Sequence, residues 1–338
     1  MGTSTQTSTP PLIRLAHPQA FAAFLQEIGT PTDRLFRRVG LPVYCNDPMA
    51  FVPLRHAWSL FDAAAQLEDP QLGWHVGRFY GDRKLSASFL RKLETAPTLY
   101  EALKRLVRMI SAEASHLQLG VLERPNDILF HTQYSTIKDW PGYEGSQAYQ
   151  LEVYLDLIRH FVGQHWVPTE IGIERATVPP IVEAHFPGSR IQTNQRVGYI
   201  AVPRSCLHMA SRTDGSDIGS KDPFVQAGGF DYVDSLRALL WAYLPDGYPS
   251  AQKVASLMGT SVRTLARRLS ESGLTYRALV DEVQFDAAKD VLVDSDARIG
   301  DVARSVGFDD PAHFSRMFRR IGGLSPRRFR TASHGRAE

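Results

Sequence analysis

The sequence predicts an α+β domain over residues 1–209, followed by an all-α domain over residues 230–332 with two helix-turn-helix units joined by a linker helix. Three observations support this division. Helical periodicity gives way to strand-like alternation in the first part, short helical segments separated by Gly and Pro fill the second part, and the second part contains one pattern twice. Residues 210–229 are rich in Gly, Ser and Asp and are predicted to form a flexible linker, and residues 333–338 a tail.

Apolar residues at helical spacing dominate the first half of the α+β domain, and alternation typical of strands follows. The predicted helices are 18–28, 32–39, 54–67, 70–76, 99–112 and 145–165, and the predicted strands are 116–122, 127–134, 170–175 and 198–202. The first two of these strands are separated by a short turn and are predicted to form a hairpin. Helices that precede an antiparallel sheet are typical of an α+β domain.

A compact helix-turn-helix unit is predicted after a helix at 231–244. Ser250 and Ser261 are expected to cap its two helices, because a serine side chain accepts a hydrogen bond from the free amides of a first helical turn. Gly259 supplies the left-handed residue between the helices. The apolar positions of the unit are Val254, Ala255, Met258, Leu265 and Leu269. In units of this kind the second helix enters the major groove of DNA.

The same pattern recurs further along the chain. Val302, Ala303, Val306 and Gly307 repeat the first helix at an offset of 48, and Phe314 and Phe318 repeat the second at an offset of 49. Asp310 is the predicted cap and Pro311 the first helical residue. Between the copies, 276–293 predicts a linker helix roughly 25 to 30 Å long. Successive major grooves on one face of B-DNA are about 34 Å apart, so the two units are predicted to occupy neighbouring grooves.

Positive charge is concentrated in the C-terminal domain. The formal net charge of the chain is +2, whereas residues 237–338 contain 16 Lys plus Arg against 12 Asp plus Glu. A run without acids contains six arginines, namely Arg316, Arg319, Arg320, Arg327, Arg328 and Arg330. A solvated helix face usually mixes both signs of charge. The one-signed run therefore indicates a surface that faces phosphates, and the alternative is an inert solvated face.

These features carry a family resemblance. The stretch 231–330, with GFDDPAHFSRMFRRIGGLSPRRFR at 307–330, closely resembles the DNA-binding domain of AraC/XylS-type bacterial transcription regulators. The N-terminal part resembles the arabinose-binding-like domain of one branch of that family, around RLFRRVGLP (34–42), LEDPQLGWHVG (67–77) and TAPTLYEALKRL (95–106). The resemblance implies a sequence-specific regulator whose N-terminal domain senses a small-molecule effector, and which acts on promoters and RNA polymerase as a homodimer.

The resemblance also assigns roles to residues of the two second helices. The base-reading positions fall on Arg263, Ala266, Arg267, Ala312, His313 and Arg316. Arg263 and Arg267 are the leading candidates, because arginine commonly binds O6 and N7 of guanine. Phosphate contacts are expected from Ser261, Thr264, Arg268, Ser315, Arg319 and Arg320. One departure stands out, because many relatives carry an arginine on the linker helix where this chain has Gln284, which puts a phosphate contact from that helix in question.

The effector is expected to be a small metabolite. The polar and aromatic residues that could line its pocket are His116, His131, Tyr134, Tyr149, Tyr154 and Trp166. For each of them the alternative is an ordinary core or surface position.

An enzyme is not predicted, since the sequence lacks a Gly-rich phosphate loop, a Gly-x-Ser-x-Gly elbow and a His-Glu-x-x-His helix. No cofactor and no metal site are expected, because Cys45 and Cys206 are isolated and His160 and His165 stand five residues apart. The first eleven residues lack the features of a signal peptide, and the longest apolar stretch, 238–244, is too short for a bilayer. A cytoplasmic, nucleoid-associated protein that binds double-stranded DNA is predicted. The alternative function is a constitutive architectural DNA-binding protein whose N-terminal domain only dimerises.

Overall fold

The computed structural model describes residues 9–79, 92–134, 138–211 and 231–334. Their contacts divide into two compact units. The α+β unit consists of residues 11–39 and the described part of 54–229, and the helical unit consists of residues 9–10, 40–53 and the described part of 230–338. Almost all of the predicted linker lies outside the described residues, as do the last four residues of the tail. Within the described parts of the chain, no helix combines the length and apolar character needed to cross a bilayer.

The α+β unit places several helices beside one sheet, which confirms the predicted fold class. Its helices are α1 (Ala16–Glu27), α2 (Thr32–Val39), α3 (Leu54–Leu67), α4 (Leu72–Phe79), α5 (Leu99–Met109), α6 (Tyr143–Val162) and α7 (Pro180–His185). Its strands are β1 (Leu12–Arg14), β3 (Leu117–Glu123), β4 (Asp127–Tyr134), β5 (Glu170–Gly172), β6 (Arg190–Gln192) and β7 (Tyr199–Pro203). The sequence did not predict β1, α7 or β6, because elements of three to six residues carry too little periodicity.

Five of these strands form a sheet in the order β3-β4-β7-β5-β6. The predicted hairpin of β3 and β4 is confirmed, with Val121 opposite Phe130. β7 pairs antiparallel with both β4 and β5, whereas β5 and β6 run parallel. The central helix α6 packs against α3, α4 and β7, and most of its residues are buried. The core of the unit therefore lies around α6.

Aromatic rings fill the core on one side of α6. Trp58 on α3 is fully buried, and its ring makes edge contacts with Tyr134 and Tyr143 at centroid distances of 4.9 and 5.5 Å. The rings of Phe21 and Phe61 stack with centroids 3.8 Å apart. Edge and offset arrangements of this kind are favourable beyond the area they bury.

The helical unit contains the predicted double helix-turn-helix arrangement. Its elements are β2 (Phe51–Pro53), α8 (Tyr232–Tyr243), α9 (Ala251–Leu257), α10 (Val262–Glu271), α11 (Tyr276–Asp294), α12 (Ile299–Ser305), α13 (Pro311–Gly322) and α14 (Pro326–His334). The predicted caps are present, since the Ser250 and Ser261 side chains accept from the amides of Lys253 and Thr264. The helices of the first pair, α9 and α10, therefore both begin at a side-chain cap, as the sequence predicts.

The linker helix α11 holds the second pair in place. It packs against α8, α12, α13 and α14. Gln284 is buried on α11, and its amide donates a 2.8 Å hydrogen bond to the carbonyl oxygen of Val306, at the turn between α12 and α13. The ring of Phe285 packs on Phe318 of α13 with centroids 4.6 Å apart. With 19 residues, α11 spans about 28 Å.

Two glycines of the α+β unit offer a matched test of packing. Gly142 and Gly188 both have φ of +82°, but a Cβ atom at Gly142 would lie 2.0 Å from the carbonyl oxygen of Trp58, whereas one at Gly188 would have no atom within 4 Å. We expect Gly188→Ala to cost about 1 kcal/mol through backbone strain alone. Gly142→Ala should cost about 3 kcal/mol or more, because backbone must also move. Urea unfolding of the full chain measures both, and equal losses would contradict the described position of Gly142.

Candidate nucleic-acid interface

The first candidate reading helix, α10, presents a polar face opposite a buried one. Leu265 and Leu269 are buried, as predicted from their spacing. Arg263, Ala266 and Arg267 are exposed on the other side. This arrangement leaves the three residues assigned to base reading available to a ligand in solution.

The charged residues of α10 have partners within the helical unit. The guanidinium of Arg267 pairs with Glu271 one turn later, and both side chains are well exposed. Arg268 lies over the ring of Tyr232, with its guanidinium carbon 4.7 Å from the ring centroid. The hydroxyl of Thr264 is 3.0 Å from the Ser261 hydroxyl. The acid at 271 therefore restrains one candidate reader, while a cation–π contact restrains a candidate phosphate ligand.

The second candidate reading helix, α13, has the same layout with different chemistry. Phe314 and Phe318 are buried, and Ala312, His313 and Arg316 are exposed. Ser315 is half-buried, and its hydroxyl donates to the carbonyl oxygen of Pro311 at 2.9 Å. The polar side chains that this helix presents are thus an imidazole and a guanidinium.

Asp310 places a carboxylate at the start of α13. It accepts hydrogen bonds from the backbone amides of Ala312 and His313 at 2.9 and 3.1 Å, as predicted for the helix cap. These amides, above all that of Ala312, hold the pKa of Asp310 below its usual value. A guanidinium nitrogen of Arg316 lies 3.8 Å from the carboxylate. The Asp310 carboxylate thus lies beside two candidate base-reading residues, His313 and Arg316. The sequence predicts Asp310 as a cap and does not predict this neighbouring negative charge.

The two neighbouring arginines at the end of α13 differ in their surroundings. Arg320 pairs with Asp281 of α11 at 2.5 Å, and Arg277 approaches the same carboxylate at 3.2 Å. Asp281 itself is 3% exposed, so its charge depends on these cations. Arg319 is exposed, and no ion pair to it occurs among the described residues. Arg319 is therefore free to meet a phosphate, whereas Arg320 is also part of the contact between two helices.

The remaining arginines of the cluster divide in the same way. Arg327 and Arg328 are exposed on α14. Arg330 is half-buried and donates to the carbonyl oxygen of Ala297 at 2.6 Å. The one-signed run thus combines surface charges with a cation that joins α14 to the residues before α12.

Gln284, the position on the linker helix where the sequence puts a phosphate contact in question, is 1% exposed. Its amide hydrogen bond to Val306 commits it to the interior. The exposed part of α11 carries Asp286 and Lys289, which form an ion pair at 3.4 Å. Residue 284 therefore supplies a packing contact in place of a surface charge.

The six residues predicted to line an effector pocket are spread through the α+β unit. Tyr134, Tyr149 and Tyr154 are buried, and burial raises the pKa of each phenol. The amide of Gln150 donates to the hydroxyl of Tyr134 at 2.5 Å, and the hydroxyl of Tyr149 lies 3.2 Å from Nδ1 of His17. The remaining three, His116, His131 and Trp166, are half-buried, and burial lowers the pKa of both histidines.

A small cavity lies elsewhere in the α+β unit, and none of those six residues lines it. Its volume is about 30 Å³, which is room for one or two water molecules. Apolar walls come from Trp74, Leu151 and Ile173, and polar groups from Gln147, Glu174 and Arg175.

Glu174 is the polar centre of this cavity wall. Its carboxylate accepts from the hydroxyl of Tyr143 at 3.0 Å, the amide of Gln147 at 2.6 Å and the ammonium of Lys138 at 2.7 Å. Arg175 pairs with Glu144 at 3.4 Å. Sequence reasoning did not select these residues, because they come from separate elements and share no local pattern. Among the described residues, no group of three or more His, Cys, Asp or Glu side chains is placed to hold a metal ion.

Two family models match this chain, one in the N-terminal part and one in the C-terminal part. A family model described as a helix-turn-helix domain matches residues 254–332. A second model, described as the arabinose-binding domain at the N-terminus of AraC transcription regulators, matches residues 29–210, more than half of the chain.

Individual relatives match over shorter stretches. The HTH-type transcriptional regulator VqsM of Pseudomonas aeruginosa is 30% identical over 152 residues, which cover 44% of this chain and 43% of VqsM. The ornithine utilization regulator of the same species is 34% identical over 97 residues, covering 29% and 28%. The HTH-type transcriptional activator RhaS of Escherichia coli O1:K1 / APEC is 36% identical over 101 residues, covering 29% and 36%. The chain thus spans less than half the length of these curated relatives.

Among solved structures, the transcriptional regulator CdpR of Pseudomonas aeruginosa is similar over 93% of this chain and 97% of its own. The sequence identity is 21% and the TM-score is 0.40.

The different surroundings of Arg319 and Arg320 can be tested by stability alone. We expect Arg320→Ala to lower the free energy of unfolding by about 1 to 3 kcal/mol, because the buried Asp281 loses a charged hydrogen-bond donor. Arg319→Ala should stay within about 0.5 kcal/mol of the parent chain, as surface substitutions usually do. Urea unfolding without DNA measures both changes. Equal stability of the two variants would show that the Arg320–Asp281 pair does not hold α13 against α11.

Proposed function

Because the chain belongs to the AraC family of transcription regulators, we propose that it reads two adjacent major grooves of promoter DNA and changes that reading when a small-molecule effector binds the α+β unit. The observation that carries this proposal is the pair of exposed reading faces, on α10 and α13, attached to one linker helix. The relatives and the family are transcription regulators, and the chain is not an enzyme.

The length of α11 supports reading of neighbouring grooves. Its 19 residues span about 28 Å, and successive major grooves on one side of B-DNA are about 34 Å apart. The packing of α11 against α13 holds the second reader beside the linker helix. A protein of this construction binds two half-sites about one helical turn apart on the same face of the duplex.

Base reading is proposed for the residues that both reading helices leave exposed. Arg263 and Arg267 donate in pairs to O6 and N7 of guanine, and Arg267 must exchange its ion pair with Glu271 for that contact. His313 and Arg316 reach base edges from the second helix. Ala266 and Ala312 are restricted to contact with thymine methyl groups.

Phosphate contacts fix the register of the protein on DNA. The six candidates are Ser261, Thr264, Arg268, Ser315, Arg319 and Arg320. Arg319 is the strongest of them, because it is exposed and carries a full charge. Asp310 opposes the approach of phosphates to the start of α13, so the first helix-turn-helix is expected to contribute more of the binding energy.

The effector response is proposed for the α+β unit. A ligand shifts the protein toward its DNA-competent arrangement only if it binds that arrangement more tightly than the other. The cavity beside Glu174 is too small for a metabolite as it stands, so a ligand that uses it must widen it. RhaS is named as an activator, and recruitment of RNA polymerase by a homodimer on chromosomal DNA is the corresponding proposal for this chain.

Footprinting of the protein across its own chromosome tests the function. The recovered sites are then bound at several salt concentrations, with and without metabolites made or used by the products of neighbouring genes. A discrete site with two half-motifs about one helical turn apart supports the proposal. Occupancy that ignores sequence would instead support a constitutive architectural protein whose α+β unit only dimerises.

Two arginine substitutions separate base reading from charge. We expect Arg267→Ala to lose about 1 to 3 kcal/mol of binding free energy on the recovered site, and little on DNA in which the cognate base pair is replaced. Arg319→Ala should weaken binding to all DNA similarly and reduce the slope of log affinity against log salt by about 1. Titration of labelled duplexes at four salt concentrations measures both effects. A uniform loss for Arg267→Ala on every duplex would remove that residue from the base-reading set.

A further inference from the structure

The helical unit contains a segment from far upstream in the chain. We call residues 40–53 the clasp segment. The chain leaves the α+β unit after Val39 and returns to it at Leu54, and everything between belongs to the helical unit. The helical unit is therefore joined to the α+β unit at both ends of the clasp segment, in addition to the connection that precedes α8.

Hydrogen bonds fasten one end of the clasp segment to the turn after α8. The carboxylate of Asp246 accepts from the backbone amides of Val43 and Tyr44, both at 2.8 Å. The hydroxyl of Tyr243 donates to the carbonyl oxygen of Gly40 at 2.7 Å. One carboxylate that receives two consecutive amides fixes both the position and the direction of the backbone.

Apolar burial fastens the rest of the clasp segment. Seven of its residues are buried, namely Leu41, Pro42, Cys45, Ala50, Phe51, Val52 and Pro53. The strand β2 at its end packs against α8. Removal of these side chains from water contributes on the order of 25 cal/mol per Å² of apolar area, which makes the segment part of the helical core.

The turn that holds the clasp segment also borders the second helix-turn-helix. A Cβ atom at Gly307, in the turn between α12 and α13, would lie 3.7 Å from the carbonyl oxygen of Leu244 and 3.7 Å from the ring of Tyr248. Residues 244–248 therefore contact the clasp segment through Asp246, and Leu244 and Tyr248 lie beside the turn at Gly307 that precedes α13. The neighbouring carbonyl of Val306 is the acceptor of the Gln284 amide.

We propose that the clasp segment is the element through which the α+β unit controls the second helix-turn-helix, an inference that rests on the proposed function. A change in the α+β unit moves the two ends of the segment at Val39 and Leu54. The segment passes this movement to Asp246, the turn 244–248 follows, and the loop at Gly307 that positions α13 shifts with it. The side-chain and backbone contacts traced from the clasp segment end at the loop of the second helix-turn-helix, so the proposal assigns the control to that reader.

Cys45 reports directly on attachment of the clasp segment. Its thiol is buried, and burial raises its pKa to about 11, so both access and thiolate content are low while the segment is attached. In the full chain with Cys206→Ser, labelling of Cys45 by a thiol reagent at pH 8 measures release. We expect Asp246→Ala to accelerate labelling about tenfold, because two charge-assisted hydrogen bonds are lost. Loss of the Asp246 charge also lowers the pKa of the Cys45 thiol, so Tyr243→Phe, which keeps that charge, is the deciding variant.

Matched variants distinguish release of the clasp segment from a general loss of folding. Asp296→Ala removes an exposed aspartate from the same unit and should leave the labelling rate unchanged. Tyr243→Phe removes only the hydroxyl that donates to Gly40, and should accelerate labelling by a few-fold. Far-ultraviolet circular dichroism confirms that each variant keeps its helices. Labelling of Asp246→Ala at the parent rate would overturn the attachment.

Control of the second helix-turn-helix by the clasp segment is tested by DNA binding. Duplexes carry the recovered site with either both half-motifs or only the one bound by the first helix-turn-helix. We expect Asp246→Ala to weaken binding to the two-motif duplex about tenfold and to the one-motif duplex by less than twofold. Binding of the two-motif duplex should slow Cys45 labelling in the parent chain. Equal losses on the two duplexes, or no loss, would overturn control of the second reader. Absence of any sequence-specific site would reject the proposed function itself, while the labelling result would still decide whether the segment is attached.

Discussion

The placement of the second reading helix depends on one stripe of the linker helix α11. Asp281, Gln284, Phe285 and Ala288 follow one another at helical spacing and so share a face. The first three each fix a different part of the second helix-turn-helix: an ion pair with Arg320, a hydrogen bond to Val306 and a ring contact with Phe318. A neutral amide suits the middle position, because it satisfies a buried carbonyl oxygen without bringing a charge into the interior. Residue 284 thus joins α11 to the turn that precedes α13.

The parts of this fold that the sequence predicts are those written in local patterns. Ser261 and Asp310 could be identified as caps, and Leu265 and Phe314 as core positions, because each lies within a few residues of the features that define it. The ion pair of Arg320 with Asp281 joins residues 39 apart, and the contact of Val43 with Asp246 joins residues 203 apart. A short-range sequence pattern does not predict contacts between residues so far apart in the chain. For the same reason the sequence predicts which residues of the reading helices are exposed. It does not predict the contacts of Arg268 with Tyr232 and of Arg320 with Asp281.

The α+β unit illustrates a second limit of sequence reasoning. A tyrosine has an apolar ring and one polar atom, and it is suited equally to a ligand pocket and to a core with a single hydrogen-bond partner. Tyr134 and Tyr149 are of the second kind, held by Gln150 and His17. Glu174 is half-buried beside the small cavity, and its partners come from α6 and from the residues before it, so a molecule that competes for this carboxylate would also disturb those hydrogen bonds. Ligand entry there would be coupled to rearrangement of α6, the centre of the unit.

The clasp segment also has a consequence for how the chain is made. It leaves the ribosome about 200 residues before its anchor Asp246, a delay of roughly 10 to 40 s at bacterial rates of synthesis. During that interval Phe51 and Val52, fully buried in the finished protein, have no helical unit to cover them. The contacts between this strand and α8 are therefore absent until late in synthesis. The helical unit includes a segment that is synthesised early, whereas the rest of the unit is synthesised last. Its core can therefore form only at the end of synthesis.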